Sequence, residues 1–123
     1  MPYDLDLQRA RAAENQSLFR EVNERIEDLA ADAAFQMFVC ECADTECAEG
    51  ISATLEEYEA VRRDPNRFLV LAGHDIPGVE DVVATTERYV VVSKLGVGAA
   101  VAEEADPRQH RELRASATRN GEG

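Results

Sequence analysis

Residues 35–55 read FQMFVCECADTECAEGISATL. The first six alternate well enough for a β-strand, with Phe35, Met37 and Val39 expected on one face. Ala43-Asp44-Thr45-Glu46 supplies turn formers, and GISATL (50–55) returns as a second, short strand. Thr54 then offers an N-cap, and Glu57, three residues on, completes a capping-box pattern that opens a helix. The stretch is therefore strand, loop, strand and helix start. Its loop holds Cys40, Cys42 and Cys47, which are all the cysteines the chain has.

The spacing C-x-C-x4-C points to a metal. Zinc binds thiolates at about 2.3 Å in a tetrahedron, so its ligand sulfurs lie within about 4 Å of one another. Cys40 and Cys42, one residue apart in an extended chain, project to the same face, and a bend at Glu41 closes the gap between them. A structural zinc takes four protein ligands. The fourth must come from His74, His110 or a carboxylate. His74 is favoured because it follows a predicted core strand directly, in a turn. A Cys3His zinc site made of Cys40, Cys42, Cys47 and His74 is the expectation. Other readings compete with it. Core thiols without a role fit poorly beside Glu41, Asp44, Glu46 and Glu49. A redox pair with a third, resolving thiol is another reading, and an iron–sulfur cluster would lack its usual fourth thiolate.

Working outward, residues 7–31 read as a helix. Leu18, Val22, Ile26 and Leu29 recur at helical spacing, with Phe19 widening the stripe. This stripe is expected to dock on the helix's own domain, with a homodimer through it as the alternative. LEEYEAVRR after Thr54 should bury Leu55, Tyr58 and Val61, and Asp64-Pro65 closes that helix. RFLVLA (67–72) is a continuous apolar run that predicts a central strand. Gly73-His74-Asp75 is a turn. Pro77 suits a first helical turn, and Ile76, Val79, Val82 and Val83 keep helical spacing. RYVVVSK (88–94) is the last strand.

The fold class is α+β: a small mixed or antiparallel sheet with an N-terminal helix and two further short helices, stapled by zinc. Residues 1–14 form an N-terminal extension and helix start, residues 15–97 a single metal-binding domain, and residues 98–123 a mostly disordered polar tail, with a frayed helix around 108–115.

The 123 residues carry a net charge of −12, with 15 acidic and 4 basic side chains in residues 1–60 against 10 and 9 in the remainder. That sign opposes phosphate, so nucleic acid and anionic membrane surfaces are disfavoured; the acidity serves solubility first, the expected partner is another protein, and a basic one is the sharper alternative. MPYDLDLQRA has no secretory pattern, and FLVLA and YVVV are too short to span a bilayer. The expected location is the cytoplasm, where three thiols stay reduced. Four Phe, three Tyr and no Trp make a modest core, the kind that benefits from a staple. No P-loop, G-x-G-x-x-G, G-x-S-x-G or H-E-x-x-H motif is present.

The C-x-C-x4-C spacing resembles the zinc-binding post-SET tail of histone methyltransferases, and what carries over is that such a spacing can hold zinc. LFREVNERI (18–26), FVCECADTEC (38–47), LEEYEAVRRDPNRFLVLAGH (55–74), YVVVSK (89–94) and ADPR (105–108) together resemble a group of small actinobacterial proteins. That resemblance implies that the cysteine loop and the Gly-His turn belong together; it implies no activity. The expected role is a non-enzymatic regulatory or protein-interaction domain. A thiol-based redox or metal sensor is the alternative. A zinc hydrolase with an open coordination position, using Glu41, Glu46 or Asp75 as general base, ranks below it.

Overall fold

The computed structural model describes residues 5–29, 35–47 and 49–108. In chain order they form α1 (Leu5–Leu29), β1 (Gln36–Val39), β2 (Gly50–Ala53), α2 (Leu55–Arg62), β3 (Arg67–Val70), β4 (Glu80–Thr85), β5 (Val90–Lys94) and α3 (Val97–Glu104). The class is α+β, with two small antiparallel sheets: a β1–β2 hairpin and a three-stranded sheet ordered β3-β5-β4.

α2 begins as the capping pattern dictates. The Thr54 side chain accepts from the Glu57 amide, and the Glu57 carboxylate accepts from the Thr54 amide. Its inner side buries Tyr58 and Val61, with Leu55 partly buried against the core. Tyr58 stacks on Phe38 of β1 at 4.5 Å, which joins the hairpin to α2.

Several expectations are met differently. At β1 Phe35 and Met37 are exposed, so the face expected for them is the outer one, while Phe38 on the other face is buried and stacks on Tyr58. The apolar run 67–72 yields β3 at the edge of its sheet, with β5 in the centre. The cysteine loop covers that edge, since the Glu41 amide donates to Leu69 O at 2.7 Å. Residues 76–83 do not form a helix. Pro77-Gly78 makes a turn in which Gly78 has φ +84°, the Val79 amide donates to Ile76 O, and β4 follows. The Pro-Gly pair acts as a turn signal; Val79 is buried at the end of the turn, and Val82 and Val83 lie exposed on β4.

Another correction concerns the tail. Val97–Glu104 is a helix, and Asp106 behind it is buried. α3 packs closely on α1: a Cβ added at Gly98 would stand 3.0 Å from Arg9 O, closer than ordinary van der Waals contact, so glycine suits this approach. The rest of the expected tail, including residues 109–115 of the expected frayed helix, lies outside the described residues, as do residues 30–31 of the expected first helix. Among the described residues no helix is long and apolar enough to cross a membrane.

α1 docks by a face that hydrophobic periodicity does not mark. Its buried residues are Ala12, Ala13, Gln16, Ser17, Arg20, Asn23 and Glu24, whereas Leu18, Val22 and Leu29 are exposed. The alanines permit close packing, and the polar side chains reach specific partners. Arg20 lies 4.6 Å over the Phe68 ring and donates to Pro65 O and Ala102 O. Gln16 meets the buried Glu80–Lys94 ion pair, in which Lys94 Nζ stands 2.8 Å from Glu80 Oε1. Near the C-terminal end of α1, Arg108 binds Glu24, Glu27 and Glu59, and Arg62 binds Asp106.

Candidate metal centre

The loop between β1 and β2 starts by extending along β3. The Cys40 amide donates to Glu49 O, and the adjacent Glu41 amide donates to Leu69 O. This extended pairing directs the Cys40 and Cys42 side chains one way and Glu41 the other. Asp44 then turns the chain: its carboxylate accepts from the Glu46 amide and its carbonyl from the Cys47 amide. Cys47 is thereby carried back toward the first two cysteines. On the other side, β3 runs into a turn with Gly73 at φ +85°, closed by the His74 amide on Leu71 O.

These two segments bring Cys40, Cys42, Cys47 and His74 together, with one ligand atom from each lying within 4.8 Å of every other. The thiols are buried and the imidazole is half-buried. His74 Nδ1 stands 3.6 Å from Cys40 Sγ and 3.7 Å from Cys47 Sγ. A nitrogen–sulfur edge of a zinc tetrahedron, built from bonds of about 2.0–2.1 and 2.3 Å, is about 3.6 Å long. The alternative of a simple hydrogen bond fits less well, because Nδ1 has one in-plane direction to offer and two sulfurs stand nearly equidistant. The group can hold a metal ion.

The surroundings suit thiolates bound to a cation. The Leu71 amide donates to Cys40 Sγ at 3.2 Å, which supports negative charge on that sulfur. Burial pushes the Cys40 and Cys42 thiols up, so neither thiolate is stabilised by the protein alone. A divalent cation held by the group would supply the missing compensation. His110, the competing histidine, lies outside the described residues.

Glu41 has a role that residue type and spacing did not reveal. It is fully buried on the side opposite the sulfurs, and its carboxylate accepts from Asn23 Nδ2 at 2.7 Å, the Leu69 amide at 2.9 Å and Tyr58 OH at 3.3 Å. Burial raises its pKa, opposed by the Asn23 and Leu69 bonds. With its oxygens committed to α1, α2 and β3, Glu41 is a tether and not the general base that its position between two ligands suggests. Asn23 also bonds Val39 in both directions, through Val39 N and Val39 O, and Asn15 donates to Ala43 O. The only sequence signal for this was negative: a Glu between two ligands, in an alternating segment, must point somewhere other than at the metal.

Comparison with protein-family models, curated proteins and solved structures finds no match in any of the three.

Proposed function

We propose that the protein is a zinc-stabilised, non-enzymatic domain that works by binding another protein, with Cys40, Cys42, Cys47 and His74 closing a structural site. The observation that carries this reading is the approach of His74 Nδ1 to two cysteine sulfurs at tetrahedral-edge distances. Four protein ligands leave no coordination position for water, and three thiolates weaken a zinc ion as a Lewis acid. The commitment of Glu41 to the core removes one of the three candidate general bases. Low exposure of the cysteines, at 0, 2 and 8%, argues against a freely reacting thiol sensor. The acidic charge disfavours nucleic acid and membrane as partners, and the reduced-thiol reading places the protein in the cytoplasm.

Elemental analysis of protein purified in reductant, without chelator or histidine tag, tests the reading. One zinc per chain is expected, lost in Cys42→Ser and bound more weakly in His74→Ala. Metal-free protein whose three thiols titrate freely in the folded state would overturn it.

A further inference from the structure

The exposed side of α1 carries an unusual pattern for a surface left to water. Leu18, Val22, Arg25 and Leu29 are spaced four, three and four residues apart, the seam of a two-helix packing. Leu18 is 58% exposed, Val22 46% and Leu29 86%. Together with Glu21 and Ile26 they line a shallow groove along the helix. On one flank, Glu14, Glu21 and Asp28 recur at seven-residue intervals, and all three are exposed. The seam and the acidic row therefore keep the same period on adjacent strips of one helix.

We propose that this face of α1 binds an amphipathic helix of another protein, with an apolar seam of matching period and lysines or arginines along the flank that meets Glu14, Glu21 and Asp28. Charge selects this occupant. A second copy packed in parallel would set Arg25 against Arg25. Packed antiparallel about the middle of the seam, it would run the acidic row against itself, with Glu21 beside Asp28 of the other copy. The chain's net charge of −12 adds to that repulsion. Outside the described helices and strands, no segment of these 123 residues carries a matching pattern: residues 1–4 are MPYD, residues 30–34 are AADAA, and residues 109–123 contain one large aliphatic side chain, Leu113. A basic flank satisfies the row, and an apolar seam removes three exposed aliphatic side chains from water. This inference deepens the interaction-domain reading and rests on it.

Two synthetic helical peptides of about 21 residues, three heptads long, test it. They share one leucine seam and differ in having Lys or Glu along one flank. Fluorescence anisotropy is read at physiological salt on protein whose metal content and melting have been measured. The Lys-flanked peptide is expected to bind at least about ten-fold tighter than the Glu-flanked one. Leu18→Asp with Val22→Asp, which adds negative charge and removes the seam, should weaken that binding at least about ten-fold. Glu21→Lys with Asp28→Lys keeps the seam and should reverse the preference between peptides, a readout that survives if the first variant misfolds. Equal binding of the Lys peptide to the seam variant would reduce the effect to nonspecific charge and overturn the proposal. Failure of both peptides on folded, metal-loaded protein would also overturn it, leaving the metal reading intact. A homodimer in sedimentation, lost in the seam variant, would overturn it in favour of a second copy.

Discussion

Two regions of the molecule hold the same sheets in place by opposite means. At the cysteine corner, three thiols and an imidazole converge with no positive charge of their own among the ligand atoms. Under α1, the protein carries both signs itself: Lys94 with Glu80, Arg62 with Asp106, and Arg108 with Glu24. The first arrangement can be completed from outside by a cation, and the second pairs its charges on folding. A buried charge is tolerated only when compensated, and the two regions differ in who supplies the compensation. Glu41 and Asn23 join them, since one residue lies in the metal loop and the other on α1.

The largest expected effect separates the two means. Removing metal with a strong chelator, or substituting Cys42→Ser, should cost on the order of 5 kcal/mol or more and abolish or sharply lower the cooperative melting transition followed by circular dichroism. An unchanged transition after complete metal removal would mean that the charged interior suffices alone.

Next comes the converse. Lys94→Met leaves Glu80 buried without its cation, and is expected to cost about 3–5 kcal/mol in urea unfolding with metal bound. The double variant Lys94→Met with Glu80→Gln should recover much of that loss. A negligible single-variant effect would place the stability of this half in the metal as well.

Asn23→Ala probes the link. It deletes bonds to Val39 and Glu41 and should cost about 1–3 kcal/mol. Because Val39 and Glu41 flank Cys40, zinc affinity measured by competition with a chromophoric chelator should fall roughly ten-fold as well. Lost stability with unchanged affinity would show the regions to be independent.

The smallest effect is the pH dependence of the exposed end of the charge network. Hydrogen bonding from Arg88 holds Glu57 down to about 2, and hydrogen bonding from Arg108 holds Glu59 down to about 2. Their folded pKa values lie below the usual 4.5, so their contribution is present above that pH and is lost as pH falls toward 2. Glu27 behaves oppositely. Burial and a hydrogen bond to Glu59 push it up to about 8, so its contribution is present below 4.5 and is lost as pH rises toward 8. Urea midpoints should therefore decline on both sides of about pH 5, and Glu27→Gln should lessen the decline above that pH, to which buried Glu41 also contributes, while leaving the acidic one.

The parts of the fold that were legible in the sequence are those encoded by neighbours in the chain. The capping box at Thr54 and Glu57, the helix end before Pro65, the β1–β2 hairpin and the turn through Asp44 are local chemistry, and each stands where its residues indicate. The C-x-C-x4-C spacing likewise set three sulfurs on one loop. Where periodicity alone was used, it failed in particular places. Val79, Val82 and Val83 fit a helix and a strand equally, and the Pro77-Gly78 turn decided for the strand. On α1 the apolar stripe marked the outer face, because the inner face is built from alanines and from Gln16, Arg20 and Asn23.

Sequence by itself determined α1, α2, the β1–β2 hairpin, β3 and β5, the thiol loop and the sign of the charge, since these follow from side-chain chemistry and from spacing along one chain. Only the tertiary structure decided that His74 meets Cys40 and Cys47, that Glu41 turns away from them, and which face of α1 is covered. Each of those is a contact between residues distant in sequence, for which a pattern along the chain carries no register. A buried arginine or asparagine looks like a surface residue until the carbonyl or carboxylate that satisfies it is in place.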